Sequence, residues 1–333
     1  KNTSIRTIHP KELPISALVS IHKTVRAQPV VVPDPPQIAA KAWAMIDYDS
    51  GKLLAAHNAN ERIEPASITK VMTSYIVMRE IQEHRLSLTD SAPISSNAWK
   101  QEGSRSFVNV GSLVPIDVLV KGMIIQSGND SSVALAEKIA GTEESFVAQM
   151  NAQAKRLGMH QTNFMNATGL PDPNHYSTAN DIIRLARSFI RDYPEDYKIY
   201  SQKEFIWNKI KQNNRNRLLW QDESVDGMKT GHTQSAGYCL VASAKRGDMR
   251  LITVILGTET EKARAQETQK LLNYGFRFYE THRLYDPEQT LSTVKVWRGE
   301  ADQVAIGTEE AVHLTIPRGH YDHLKPVMEI QPS

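Results

Sequence analysis

The sequence predicts an α+β protein, and two patterns carry that expectation. Strand signals, alternating or continuous apolar runs rich in Val, Ile and Thr, cluster near residues 42–56 and 236–257. Between them, from about 67 to 192, apolar residues recur at helical spacing instead. At 333 residues, with 23% charged residues and a formal net charge of +2, the chain has room for one large globular domain and a smaller one. That charge excludes nucleic-acid binding by electrostatics. The one cysteine, Cys239, rules out a disulfide within the chain and falls in an apolar strand, where a buried, inert thiol is expected.

Residues 1–37 differ from the rest. Basic residues precede a short apolar stretch, Leu13 to Ile21, and a Val/Pro-rich segment, Pro29 to Pro36, so the region reads as a leader or export-signal remnant followed by a linker. No stretch could span a bilayer. Pro65 and Ala66 then lead into Val71, Met72, Tyr75, Ile76, Val77, Met78 and Ile81, a helix apolar enough to be buried on most sides. A run from Val118 to Ile125 ends at Ser127-Gly128-Asn129, a tight turn before a helix from Asp130 to Ala140 that Gly141 closes. Gly237 to Ala244, the turn Arg246-Gly247-Asp248, and Leu251 to Leu256 form a hairpin of two long strands. A helix over 261–281 would pack back on the sheet. From about Leu284 the pattern returns to strand-like segments around Val294–Trp297 and Val312–Ile316. Domain boundaries are therefore expected at 38–283 and 284–333.

Three motifs carry chemistry: Ser67-Ile68-Thr69-Lys70, Ser127-Gly128-Asn129 and Lys229-Thr230-Gly231, the last followed by His232 and Thr233. Singly they are weak. Ser20–Lys23 and Ser292–Lys295 also fit Ser-x-x-Lys, and an N-capping serine with a solvated lysine one turn on explains any one such match. Order and spacing give the set its weight. On a helix, Ser67 and Lys70 share a face, and Ser67 in the first turn meets free N–H groups that favour a developing anion. A lysine serves as base only when neutral, so its pKa must be depressed by burial or by a second cation, for which Lys229 is the candidate. The turn can present the Ser127 hydroxyl as a proton relay and the Asn129 amide as a two-way hydrogen-bonding group. Gly231 allows close backbone approach at a strand edge that can take up a peptide, with Thr230 and Thr233 as donors to a carboxylate. The histidines show no trusted metal spacing, and His320-x-x-His323 lacks a third ligand. No cofactor is implied.

The trio in this order is that of class A β-lactamases and penicillin-binding proteins. The chain resembles the low-molecular-mass penicillin-binding proteins that act as D-alanyl-D-alanine carboxypeptidases. The likeness, from about Ile38 onward, includes Met45-Ile46-Asp47-Tyr48 with the Asp49–Lys52 turn, Pro65-Ala66-Ser67, Asn214-Arg215-Asn216 with Leu218-Leu219-Trp220, Val225-Asp226-Gly227, and Leu271 to Glu280. The resemblance implies a penicilloyl-serine-transferase (β-lactamase-like) fold. Its five-stranded antiparallel sheet is flanked by helices, with a helical subdomain, and a small β-rich domain, here incomplete, follows. It further implies that Ser67 attacks the bond between two D-alanines, Lys70 takes its proton, and Ser127 and Lys229 relay one to the leaving amine. Backbone N–H groups of Ser67 and His232 would form the oxyanion hole. Arg264 and Thr233 would receive the terminal carboxylate, with Arg215 nearby.

The implied partners are peptidoglycan stem peptides and, as covalent inhibitors, β-lactams. The implied location is periplasmic, with an inner-membrane anchoring helix in full-length relatives that this chain lacks. Thr168 stands where many relatives carry histidine before Gly169-Leu170, which bears on deacylation. Residues 164–181 hold no glutamate of the kind an efficient lactamase needs there. A D,D-endopeptidase on cross-links and a penicillin-binding sensor without turnover use the same residues and stay open as alternatives.

Overall fold

The structure, a computed structural model, describes residues 3–7, 17–19, 32–295 and 303–324. Two compact units are resolved by their internal contacts. The larger comprises Pro35–Tyr48 and Leu53–Gly275, and the smaller gathers Lys1–Asp34, Asp49–Lys52 and Phe276–Ser333.

The larger unit is built on a five-stranded sheet of β1 (Ala42–Asp47), β2 (Leu53–His57), β3 (Val225–Thr233), β4 (Gly237–Arg246) and β5 (Met249–Thr258). Its order is β2-β1-β5-β4-β3, and every neighbouring pair is antiparallel. β1 is buried at every position, and β5 buries eight of its ten. That is why these strands read as continuous apolar runs rather than alternating ones: both faces of the sheet are covered. Val241 of β4 sits opposite Lys229 on β3 and Val254 on β5, so the hairpin pins the register of the edge strand that carries Lys229 to Thr233.

Helices α1 (Lys70–Gln82), α2 (Asn129–Ala140), α3 (Ala179–Asp192) and α4 (Glu261–Phe278) frame the sheet and site, and a further long helix, Glu143–Arg156, packs against α1 and α2. α1 buries ten of its thirteen residues and is a core helix, as its dense apolar set predicted. Thr178 caps α3 by accepting from Asp181 N–H at 3.1 Å. α4 lies so close to the sheet that a Cβ on Gly275 would come within 2.6 Å of Leu251 Cδ1 and 2.8 Å of Met45 Sδ, so a larger residue there would require both side chains to shift. Phe189 joins Tyr75, Tyr193, Tyr197 and Tyr200 in an edge-to-face cluster under α1 and α3. Each large apolar side chain fully buried in such a core contributes about 1.5–3 kcal/mol.

Two boundaries differ from expectation. α4 stops at Phe278, and Tyr279–Tyr285 is a strand paired antiparallel with Val312–Pro317, so a boundary at 283/284 would cut through it. The residues at that junction read locally as helix. Cross-strand pairing, invisible to local propensity, decides otherwise. At the other end, the described parts of the region expected to be a leader, Thr3–Thr7 and Ala17–Val19, are strands. They continue a sheet with Thr290–Lys295 and Gln303–Thr308 in the smaller unit. Most of residues 1–31, and Val296-Trp297 of the expected tail strand, lie outside the described residues.

Candidate active site

The three motifs meet in the larger unit. Ser67 lies in a single 3₁₀ turn, Ala66–Thr69, that feeds directly into α1, so Lys70 stands one turn away on the same face. Ala66 holds φ at +49°, a conformation that costs a non-glycine residue energy and that packing must enforce. Ser127 also adopts a left-handed φ of +68°, where the π-helical turn Gly122–Gln126 ends and before α2 begins. π-turns of this kind recur at functional sites. Close packing holds both turns: a Cβ on Gly128 would sit 1.7 Å from Ser106 Oγ, and one on Gly169 would sit 1.9 Å from the Ala66 carbonyl oxygen. Gly231 brings β3 against the nucleophile turn, since a Cβ there would lie 3.2 Å from Ser67 N.

Lys70 is fully buried and has three partners: Ser67 Oγ at 2.9 Å, Asn129 Oδ1 at 2.7 Å and the Thr168 carbonyl at 2.6 Å. A neutral amine has two N–H bonds and one lone pair. With the amide and carbonyl oxygens taking the two protons, the lone pair is left for the Ser67 hydroxyl, the arrangement a general base requires. Burial is the main cause that lowers the Lys70 pKa to about 7, the Arg215 guanidinium adds to it, and Asp130 opposes it. The sequence reading gave the second cation as Lys229. Arg215 acts in that direction, and Lys229 is itself held well below the ordinary lysine range by burial first, then by Lys70, Arg215 and Arg264, so the two lysines disfavour each other's charge. Lys229 Nζ lies 2.9 Å from Ser127 Oγ and 3.0 Å from the Thr230 carbonyl.

A cavity of about 310 Å³ opens over this centre, lined among others by Ser67, Ser127, Thr230, Gly231, His232 and Arg264. Arg264 is buried, with its guanidinium 5.6 Å from the centre of the Tyr238 ring and 3.3 Å from Glu261. Arg215 reaches the same cavity and donates from Nε to the Gln126 carbonyl at 3.1 Å.

A family model described as D-alanyl-D-alanine carboxypeptidase matches residues 29–260. The chain belongs to that family. A second model, the C-terminal domain of penicillin-binding protein 5, matches residues 279–333 and so begins at the strand that follows α4. The D-alanyl-D-alanine carboxypeptidase DacC of Escherichia coli is 48% identical over 297 residues, covering 87% of this chain and 74% of that protein. Penicillin-binding protein 5 from Haemophilus influenzae superposes with a TM-score of 0.84 at 43% identity, over 87% of this chain and 86% of the other. Penicillin-binding protein D2 from Listeria monocytogenes, solved in a cefotaxime-bound form, gives 0.68 at 29% identity over 73% and 100% of the two chains. The fold is the penicilloyl-serine-transferase fold, as the resemblance implied.

Within this family site, Asn129 is buried, its Oδ1 accepting from Lys70 and one Nδ2–H donated to the Glu102 carbonyl at 2.5 Å, which leaves its second Nδ2–H for another partner. Thr233 Oγ1 accepts from Ala236 N–H at 3.0 Å and meets Ser235 Oγ at 3.3 Å at the turn into β4. Several participants escaped the sequence reading. The Thr168 carbonyl positions Lys70, and the Thr168 hydroxyl is occupied within its own loop by Asn166 at 3.1 Å and Leu170 N–H at 3.2 Å. Glu143 on the neighbouring helix accepts from Ala167 N–H at 2.9 Å, and Thr73 of α1 donates to the Ala167 carbonyl at 2.7 Å. Backbone carbonyls carry no sequence signature, so only the fold could reveal that the Thr168 carbonyl meets Lys70.

Among the described residues no group of His, Cys, Asp and Glu side chains could hold a metal ion. None of their helices is long and apolar enough to cross a membrane.

Proposed function

We propose that the protein is a serine D,D-carboxypeptidase that removes the terminal D-alanine from peptidoglycan stem peptides through an acyl-enzyme on Ser67. The observation that carries the reading is the double lysine–serine contact inside one cavity, Lys70 to Ser67 and Lys229 to Ser127, both at 2.9 Å. Neutral Lys70 takes the Ser67 proton as Oγ bonds to the peptide carbonyl carbon. The resulting oxyanion sits at the first turn of α1, where the N–H of Ser67 and that of His232 on the adjacent edge strand are the donors, and no charge need be reorganised in water. As the C–N bond breaks, the departing nitrogen takes a proton from Ser127, and the proton that Lys70 took from Ser67 passes by way of Lys229 to replace it, leaving Lys70 neutral again. Water then opens the ester, with Lys70 again as base. Arg264 and Arg215 supply the positive charge for the terminal carboxylate, and Thr230 completes that wall of the cavity.

β-Lactams share the reactive amide and the adjacent carboxylate, so they acylate Ser67 by the same first step. The family relationship supports a periplasmic location.

Intact-protein mass spectrometry tests the reading. Incubation with penicillin should add one penicilloyl group, lost in Ser67→Ala, and a diacyl-Lys-D-Ala-D-Ala peptide should release D-alanine. A persistent adduct with no D-alanine released would sink the turnover reading and favour a sensor.

A further inference from the structure

Phe107 combines two features that core packing does not reconcile. Its backbone holds φ at +61°, and its ring is 46% exposed. A left-handed backbone is unfavourable for a bulky residue and persists only where neighbours enforce it. Asp130 enforces it here: the carboxylate accepts from Ser106 N–H at 2.8 Å and lies 3.5 Å from Val108 N, so it grips the chain on both sides of Phe107. The strained loop therefore presents an aromatic ring outward.

The ring enters a groove of about 360 Å³ within the larger unit. Trp99, 40% exposed, stands in the same groove, as do Ile210 and the carboxamides of Asn109 and Asn208. Arg105 completes it, its guanidinium 5.9 Å from the centre of the Trp99 ring and its Nε donating to the Gln101 carbonyl at 3.1 Å. Asp130 is buried and its oxygens are taken up by backbone N–H groups, so it shapes the groove without charging it. Two junctions join this groove to the catalytic cavity. Ser104 lines the cavity and Arg105 the groove, and Asp130 follows Asn129, whose amide meets Lys70. None of Ser127, Arg215 and Arg264, which serve the leaving group, lines it. The groove thus neighbours the part of the substrate that stays on Ser67.

Aromatic faces edged by amides and a guanidinium match a pyranose. The C–H face of the sugar lies on a ring, while its hydroxyl and acetamido groups exchange hydrogen bonds with carboxamides and N–H donors. The volume is at the lower end for a small-molecule site. We propose that this groove binds the saccharide that carries the stem peptide, an N-acetylated amino sugar stacked on Trp99 and Phe107 with Asn109, Asn208 and Arg105 at its polar edge. The inference rests on the carboxypeptidase reading and names what the far end of the acyl arm meets. Extended stem residues span about 3.3–3.6 Å each, and the groove begins one residue beyond the cavity wall, so the sugar reaches it.

The experiment uses the whole chain and one pentapeptide in two forms, free and carried on its N-acetylated disaccharide, with D-alanine release followed for both. The parent chain should show a kcat/KM about tenfold higher for the disaccharide form. Trp99→Ala should erase that preference, with free-peptide trimming and penicillin acylation within about twofold of the parent. Phe107→Gly separates binding from folding, because glycine adopts the left-handed φ freely: it should melt no lower than the parent and still lose the preference. Equal kcat/KM for the two forms in the parent chain overturns the groove assignment alone, as does a variant that lowers both equally. Failure to release D-alanine from either form overturns the carboxypeptidase reading instead. The groove is then decided by saturation-transfer NMR with the intact disaccharide–pentapeptide: transfer to the sugar C–H protons that Phe107→Gly abolishes supports it, and none in the parent chain overturns it.

Discussion

Lys70 is the residue on which the chemistry turns, and its environment makes the protonation state a measurable quantity. Its pKa, lowered to about 7 chiefly by burial and then by Arg215, makes the base active above that pH and inactive below. The second-order rate of acylation by penicillin should therefore rise with pH through a midpoint near 7, falling about tenfold per unit on the acid side. Arg215→Ala removes a cation that lowers this value, so its midpoint should move upward, and acylation at pH 7 should drop even where the plateau at high pH is kept. A midpoint that stayed put would show that Arg215 does not act on Lys70. Ser67, Lys70, Ser127 and Lys229 were legible in the sequence because side-chain chemistry at fixed spacing leaves a pattern. Asn129 was legible as a participant, but its contacts with Lys70 and the Glu102 carbonyl were not, since both partners lie far from it along the chain.

At the level of elements, the loop between Phe164 and Tyr176 holds the base, and α1 holds the loop. His175 is the tie. Met165 N–H donates to its Nδ1 at 3.2 Å, so the ring proton is on Nε2, which meets Thr69 Oγ1 at 2.8 Å, between Ser67 and Lys70 in the sequence. Burial pushes its pKa down to about 4. Because the folded value lies below the unfolded one of about 6.5, the stability this neutral ring contributes is full above pH 6.5 and is lost as pH falls toward 4, up to about 3 kcal/mol. Thermal melts should show the parent chain losing more stability across that window than His175→Gln, which cannot titrate. Equal losses would mean the ring is not held neutral. Gly169 has φ +85° and backs onto the Ala66 carbonyl, so Gly169→Ala should cost at least about 2 kcal/mol by chemical denaturation and slow acylation as well. An unchanged denaturation midpoint would show that the loop does not press on the nucleophile turn. None of these ties has a local signature: His175 and Thr69 are 106 residues apart.

For the whole molecule, lysine and serine chemistry of this kind needs no metal, and chelation should leave both penicillin acylation and D-alanine release unchanged. Activity lost to a chelator and restored by a divalent cation would contradict that mechanism. Cys239 is fully buried on β4, with its thiol pushed up to about 11 by burial, so alkylating reagents should leave the folded chain unlabelled and active. Rapid labelling in the native state would contradict the packing of β4 between β3 and β5. The smaller unit was foreseen as strand-rich but misplaced at its border, because Tyr279–Tyr285 becomes a strand through its pairing with Val312–Pro317.

The sequence by itself singled out Ser67, Lys70, Ser127 and Lys229, which the structure brings together, along with the α+β class and the edge strand, because each is written in residue type, period or spacing along the chain. Tertiary structure alone decided that Arg215 stands as a cation near Lys70, that the Thr168 carbonyl and Asn129 accept from its amine beside Ser67, and that a larger groove shares Arg215 and Glu261 with the catalytic cavity. Those outcomes depend on which distant segments pack together and on the electrostatics of the space they enclose, and neither is a property of any local stretch of sequence.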